Sequence, residues 1–356
     1  METHSERTMH PGLPQHPSPD VHNTPAPLEA LGETQMPAAA HFRREHFPAL
    51  AIDPAEWRLR VGGAVATPAI VTLADLQRMP RRSLVVVLEC AGHRRAELEP
   101  ATPGLQWGAG AVSEARWSGT PLRDLLWAAG VDRGADEVVL TGADRGAFER
   151  RAGQHPYARS LPLPKALDRD TILAFEMNGG PIPPEHGGPV RAIVPGWYAT
   201  DSVKWLERVH VATGEFDGPF QAIDYRFATA DDPGPGTRME RMPVHALITH
   251  PAESATLAPG RARLAGVAWS GGGAITRVEV RIDAGPWAAA TVIARTGRYG
   301  RTLWECDWDA EAGVHTIAVR ARDATGAAQP DEPIWNRRGY ANNAVHRVAV
   351  IVAEAA

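Results

Sequence analysis

The chain has 356 residues, a formal net charge of −5, 44% hydrophobic and 22% charged residues. These proportions exclude a fibrous or wholly disordered protein, and the slight acidity removes any general electrostatic case for nucleic acid or anionic membrane. At about 150 residues per domain the length suggests two domains, and Cys90 and Cys306, neither in a C-x-x-C pair, build no disulfide framework or zinc ribbon.

Residues 1–40 are dense in Pro, His, Thr and Ala without helical or strand period, so a disordered or extended lead is expected there. Its histidines (His4, His10, His16, His22) are spaced too irregularly to argue for a metal site. The stretch Met1–Arg7 carries acidic residues and no apolar core follows it. That argues against a secretory or twin-arginine signal, and no run approaches the ~18 apolar residues of a spanning helix. A cytoplasmic, non-membrane protein is the expectation.

From residue 41 to 236 the pattern is mixed. Val61–Val65, Ser83–Glu89, Glu137–Thr141 and Val190–Val194 read as short strands. Leu73–Arg78 reads as a helix capped by Thr72, and Pro121–Ala129 as one that starts with proline and stops at Gly130. Strands do not alternate with long helices, so an α+β arrangement is expected in place of a doubly wound sheet. Asp231–Gly236 has the composition of a linker. Beyond it, across 237–356, Ala262–Ala268, Ile275–Asp283, Thr302–Asp307, Gly313–Arg322 and His346–Val352 alternate polar with apolar residues between turn signals. That predicts an antiparallel sandwich of immunoglobulin type.

Chemistry concentrates at Cys90, which ends an apolar strand and opens the turn Cys90-Ala91-Gly92-His93-Arg94-Arg95. A thiol beside two guanidiniums and an imidazole is biased towards thiolate, which leaves a nucleophile, a redox sensor or a metal ligand open. A second arginine cluster lies in His41-Phe42-Arg43-Arg44-Glu45-His46; guanidinium forks of this kind hold anionic oxygens bidentately. Two Gly/Pro-rich loops, Gly179–Arg191 and Val194–Trp205, present His186, Arg191, Ser202 and Lys204 together with backbone donors, a set that suits a phosphate-bearing ligand. Neither loop is a nucleotide-binding glycine motif.

The blocks Leu88–Arg95, Gly104–Trp107, Ala115–Gly119, His186–Arg191, Ser202–Leu206, Trp335–Tyr340, Asn342-Asn343 and His346–Val348 occur in the order found in the sulfite oxidase family of molybdenum enzymes, which the chain resembles over about residues 41–352. The resemblance implies a molybdenum-pterin (molybdopterin) catalytic domain at 41–236 and an immunoglobulin-like domain at 237–356 that forms a homodimer. It implies Cys90 as the protein ligand of molybdenum. His46, Asp144, His186, Arg191, Ser202 and Lys204 match positions that hold the pterin and its phosphate. Arg44, Arg95, Trp107, Tyr225 and Arg338 match the pocket that receives sulfite. The implied reaction oxidises sulfite to sulfate, with electrons passing to a separate acceptor, since neither C-x-x-C-H nor a cysteine cluster is present for haem or iron and sulfur. The same scaffold with nitrate or an S-oxide as substrate is the nearest alternative, and a cofactor-free binding module with an immunoglobulin-like domain is the alternative of another class. Three positions depart from the family pattern: His93 and Glu45 stand where asparagine is usual, and Asp201 where many members carry an arginine near the pterin. On sequence alone, Glu45 weakens the charge of Arg44 and Asp201 places an anion beside the pterin phosphate.

Overall fold

The computed structural model describes residues 21–232 and 234–354; His4, His10 and His16 lie outside that range. Strands dominate, and the longest described α-helix is Leu122–Ala129. No helix among the described residues is long and apolar enough to cross a membrane.

The first region is built on two sheets. In one, Arg82–Glu89 pairs antiparallel with Val112–Pro121, which pairs with Ile172–Met177, and Arg191–Ile193 adds on to the latter. Burial increases along Arg82–Glu89 until Val86, Val87, Leu88 and Glu89 are all within the core, so this strand carries Cys90 into the interior. The other sheet runs in the order Ala69–Thr72, Arg58–Gly63, Leu206–Ala212, Glu137–Phe148, Arg151–Pro162, with Arg58–Gly63 parallel to Leu206–Ala212. Helix Leu73–Arg78 starts as its sequence predicts: the Thr72 hydroxyl accepts from Asp75 N and the Asp75 carboxylate accepts from Thr72 N. Helix Leu122–Ala129 ends at Gly130 in the left-handed region, φ 68°.

One expectation needs correction. Residues 21–40 are not a disordered lead: Leu31 and Met36 are fully buried, and Thr24 bridges to Arg43. The guanidinium of Arg301, from the distant second region, donates to the carbonyls of Leu31 and Glu33 and to Glu114. Beside the expected linker, Arg226–Phe227 pairs with Thr237–Arg238 as a small hairpin.

The second region is two sheets sharing one core. His245–His250, Gly260–Trp269, Thr302–Ala310 and Thr291–Arg295 form one; Ala255–Leu257, His346–Val352, Gly313–Asp323, Ile275–Ile282 and Ala288–Ala289 form the other. Leu264, Val278, Trp304, Ile317, Val319 and Val350 meet between them. Pairing is antiparallel except between Ala255–Leu257 and His346–Val352, which run parallel. Two segments reach back to the first region: Tyr299 O accepts from Val87 N at 2.9 Å, and Asn342 Nδ2 donates to Arg94 O at 2.9 Å. The loop before the last strand therefore delivers Arg338 to the Cys90 turn.

Candidate active site

Cys90 follows the buried strand and is held by its backbone: Cys90 N donates to Ala111 O and Cys90 O accepts from His93 N, both at 2.9 Å. Gly92 leaves the space that the Arg95 guanidinium fills: a Cβ there would stand 2.6 Å from Arg95 Nη2 and push that side chain aside. Of the cations that the sequence places beside the thiol, only Arg95 reaches a cavity shared with it. Arg94 takes a left-handed conformation, φ 56°, and buries its guanidinium against Glu97 and the carbonyl of Ala344. His93 is buried at the domain junction, edge-on to His245 and Trp269. The expected crowd of cations around the thiol thus reduces to one guanidinium.

Two cavities meet at Cys90. The first, a space of about 680 Å³ that includes its opening to solvent, is lined by Cys90, His46, Asp144, His186, Arg191, Ser202 and Lys204, together with His41, Arg43 and Tyr157. Its residues come from both Gly/Pro-rich loops, which are tied to each other: Arg191 donates to the carbonyls of His186 and Ser202 at 2.8 Å, and Ser202 Oγ accepts from Val194 N at 3.0 Å. Gly187, φ 96°, is needed where the loops touch, since a Cβ would lie 2.5 Å from that of Lys204. Lys204 Nζ donates to Glu185 O at 3.1 Å.

The electrostatics of this cavity point to an anion. Burial, then the charge of Arg44, holds His46 neutral, and burial with His186 and Arg191 does the same to His41. His186 is pulled down to about 4 by burial and Arg191. Burial also lowers Arg191 and, together with Arg191, Lys204, while it raises Asp144. Buried cations that discourage one another are relieved by a counter-ion. Several polar atoms are buried with no partner among the described residues: His41 Nε2, Asp144 Oδ1 and Arg191 Nε. Such atoms are uncommon in native interiors, and those that line a cavity can be satisfied by a ligand or water within it. The donor set fits a phosphate-bearing group rich in ring heteroatoms, with a soft metal at the Cys90 sulfur.

The second cavity, about 1000 Å³, shares Cys90, Arg44, His46 and Tyr225 with the first and adds Arg95, Trp107, Arg338, Asp224 and Arg150. Trp107 Nε1 is buried and has no partner among the described residues. Arg95 is set by donating to Arg338 O at 3.0 Å and Leu105 O at 2.8 Å. Tyr225 sits in the left-handed region, φ 55°, a strained conformation for an aromatic residue, and shares a 2.6 Å hydrogen bond with His46 Nε2. His46, expected among the pterin contacts, is therefore at the seam of both cavities.

All twelve residues singled out from the sequence line one cavity or the other. Two departures resolve differently from the expectation. Asp201 does not face the cavity: its carboxylate is fully buried and pairs with Arg159 Nε at 3.0 Å. Glu45 pairs with Arg43 and accepts from His22 N, so its charge is not committed to Arg44. Sequence reasoning missed His41, Tyr157, Asp224 and Arg150. Asp224 is next to Tyr225, but nothing local marks Arg150, which lies on a hairpin tip and joins the site through the fold.

The chain is similar to known proteins along most of its length. Residues 46–220 match the oxidoreductase molybdopterin binding domain, and residues 237–353 the Mo-co oxidoreductase dimerisation domain. The chain is 37% identical to sulfite oxidase of Gallus gallus, over 95% of this chain and 78% of that one. It is 37% identical to mitochondrial sulfite oxidase of Homo sapiens over 93% of this chain, and spans 64% of that relative's length. Nitrate reductase [NADH] of Solanum lycopersicum is 35% identical over 89% of this chain and 38% of its own. Among solved structures, the sulfane dehydrogenase SoxCD from Paracoccus pantotrophus superimposes with a TM-score of 0.83 at 28% identity, covering 99% of this chain and 96% of the other.

Proposed function

The chain belongs to the sulfite oxidase family of molybdopterin oxidoreductases, and from that premise we propose that it oxidises sulfite to sulfate at a molybdenum held by Cys90. The observation that carries this reading is the position of the Cys90 thiol at the junction of an anion-adapted cavity and an arginine-lined one. When bound, the pterin-held molybdenum supplies oxygen transfer and accepts two electrons. The net change is sulfite plus water to sulfate, two electrons and two protons. The electrons pass to a separate acceptor.

The protein's part is to bind, orient and neutralise. Asp144, His186, Arg191, Ser202 and Lys204 hold the pterin and its phosphate, with the orphaned Asp144 and Arg191 atoms available to it. Arg44, Arg95 and Arg338 concentrate the substrate dianion, and Trp107 Nε1 offers it a donor. The Tyr225 hydroxyl, anchored on His46, stands beside the same anion. We read the first region as a mixed α+β catalytic domain and the second as an immunoglobulin-like sandwich that dimerises.

Steady-state assays on molybdenum-loaded protein, comparing sulfite oxidation with nitrate and sulfoxide reduction against a panel of acceptors, test the proposal. Sulfite-dependent turnover is expected. Turnover with nitrate or a sulfoxide and none with sulfite overturns it.

A further inference from the structure

The substrate-side cavity has a fourth guanidinium. Arg150 sits on the tip of the hairpin formed by Glu137–Phe148 and Arg151–Pro162, whose last cross-strand partners are Phe148 and Arg151. The tip is seated: the Phe148 ring lies edge-on to Phe220 with centroids 5.2 Å apart, and the Arg150 guanidinium stands 5.3 Å over the Phe148 ring. Arg150 Nη2 contacts Asp224 Oδ1, and Arg338 Nη1 lies 3.7 Å from the same oxygen. One carboxylate therefore faces two guanidiniums at the cavity, immediately before Tyr225 in sequence.

This arrangement differs from that of Arg95, whose Nε and Nη1 donate to backbone carbonyls and fix the side chain in place. The side chains of Arg150 and Asp224 are 33% and 20% exposed, so both are within reach of solvent and of an anion that enters the cavity. A tetrahedral oxyanion carries up to twice the charge of a carboxylate and offers several acceptor oxygens, which lets it compete for both guanidiniums. We propose that Arg150 is a specificity-determining residue of this cavity, held by Asp224 until an oxyanion takes its place. Asp224 then limits affinity: it masks cationic charge and repels the incoming anion. The inference rests on the oxyanion reading of the site, but not on sulfite being the oxidised species.

Opposite responses to two substitutions separate this from a merely structural ion pair. Arg150→Ala should raise the KM for sulfite about tenfold with kcat little changed, as expected for losing one charged hydrogen bond made to substrate and transition state alike. Asp224→Asn should lower it, and Arg150→Lys should recover part of the loss. The same holoenzymes are titrated with inorganic sulfate, read by tryptophan fluorescence, and the dissociation constants should move in the same two directions. If both variants weaken binding, or if neither shifts it by more than twofold, the proposal is overturned. Absence of sulfite turnover in the parent protein would overturn the function instead, while the sulfate titration still judges Arg150.

Discussion

The Glu89 carboxyl accepts a 2.8 Å hydrogen bond from the indole Nε1 of Trp269, across the junction between the two regions. His245 stacks on that indole, with centroids 4.9 Å apart and planes 6° from parallel, and its Nε2 lies 3.0 Å from the other Glu89 oxygen. Glu89 immediately precedes Cys90, so the second region braces the turn that carries the thiol. Trp269→Phe keeps an aromatic ring but removes the donor and part of the buried indole volume; it should lower stability by about 1–3 kcal/mol or more, because the carboxyl oxygen loses its partner and a gap opens in the junction. Thermal unfolding measures this, and an unchanged midpoint would contradict the brace.

Cys90→Ser should leave the fold intact and abolish the thiolate-to-metal absorption of the loaded protein, since the Cys90 turn is held by backbone bonds. Unaltered visible spectra at full molybdenum content would rule out the ligand assignment.

Asp201→Arg, which installs the residue common in the family, should fail to improve the enzyme and should destabilise it. Asp201 and Arg159 are both fully buried, and Arg159 also donates to the Phe220 and Met239 carbonyls. Removing the carboxylate strands a buried guanidinium, at a cost of about 3–5 kcal/mol, and the new arginine adds a like charge beside it. Denaturant unfolding of Asp201→Asn isolates the first part of that loss.

Stability should fall as pH drops below about 6.5. His41, His93, His186 and His346 are buried and their folded pKa values are depressed, chiefly by burial, to about 4 for His186 and about 3 for His346. Above pH ~6.5 these rings are neutral in both states and cost nothing. Below it the unfolded chain takes up protons that the folded one refuses, each worth ~1.4 kcal/mol per pH unit. Asp144, raised by burial, titrates in the opposite sense and offsets one of them. Unfolding at pH 5.5 should therefore take up more than one proton, and a flat stability profile from pH 7.5 to 5 would refute this.

Tyr225→Phe should reduce kcat/KM for sulfite by roughly a hundredfold, the scale of losing one donor aimed at a developing oxyanion. The phenol keeps its proton, its pKa being raised well above the usual value by burial. Stopped-flow reduction by sulfite is the measurement, and equal rates for parent and variant would remove Tyr225 from the reaction.

Features that depend on neighbours in the chain were readable from residue types. The Thr72–Asp75 capping box, the stop at Gly130 and the alternating strands of the second region each follow from contacts within a few residues or from a period of two. The order of the blocks around Cys90, His186 and Arg338 likewise identified the cofactor class. Charge was not readable in the same way, because a charged residue's effect is set by the partner it meets. Asp201 reads as an anion by the pterin until Arg159, 42 residues away, neutralises it. His93 reads as a cation beside the thiol until the fold buries it against His245 and Trp269 from the other domain. Arg150 carries no local signal at all, and becomes part of the site only when a hairpin tip brings it to Asp224, 74 residues on. Coulomb energy depends on distance and burial in three dimensions, and neither is a function of sequence separation.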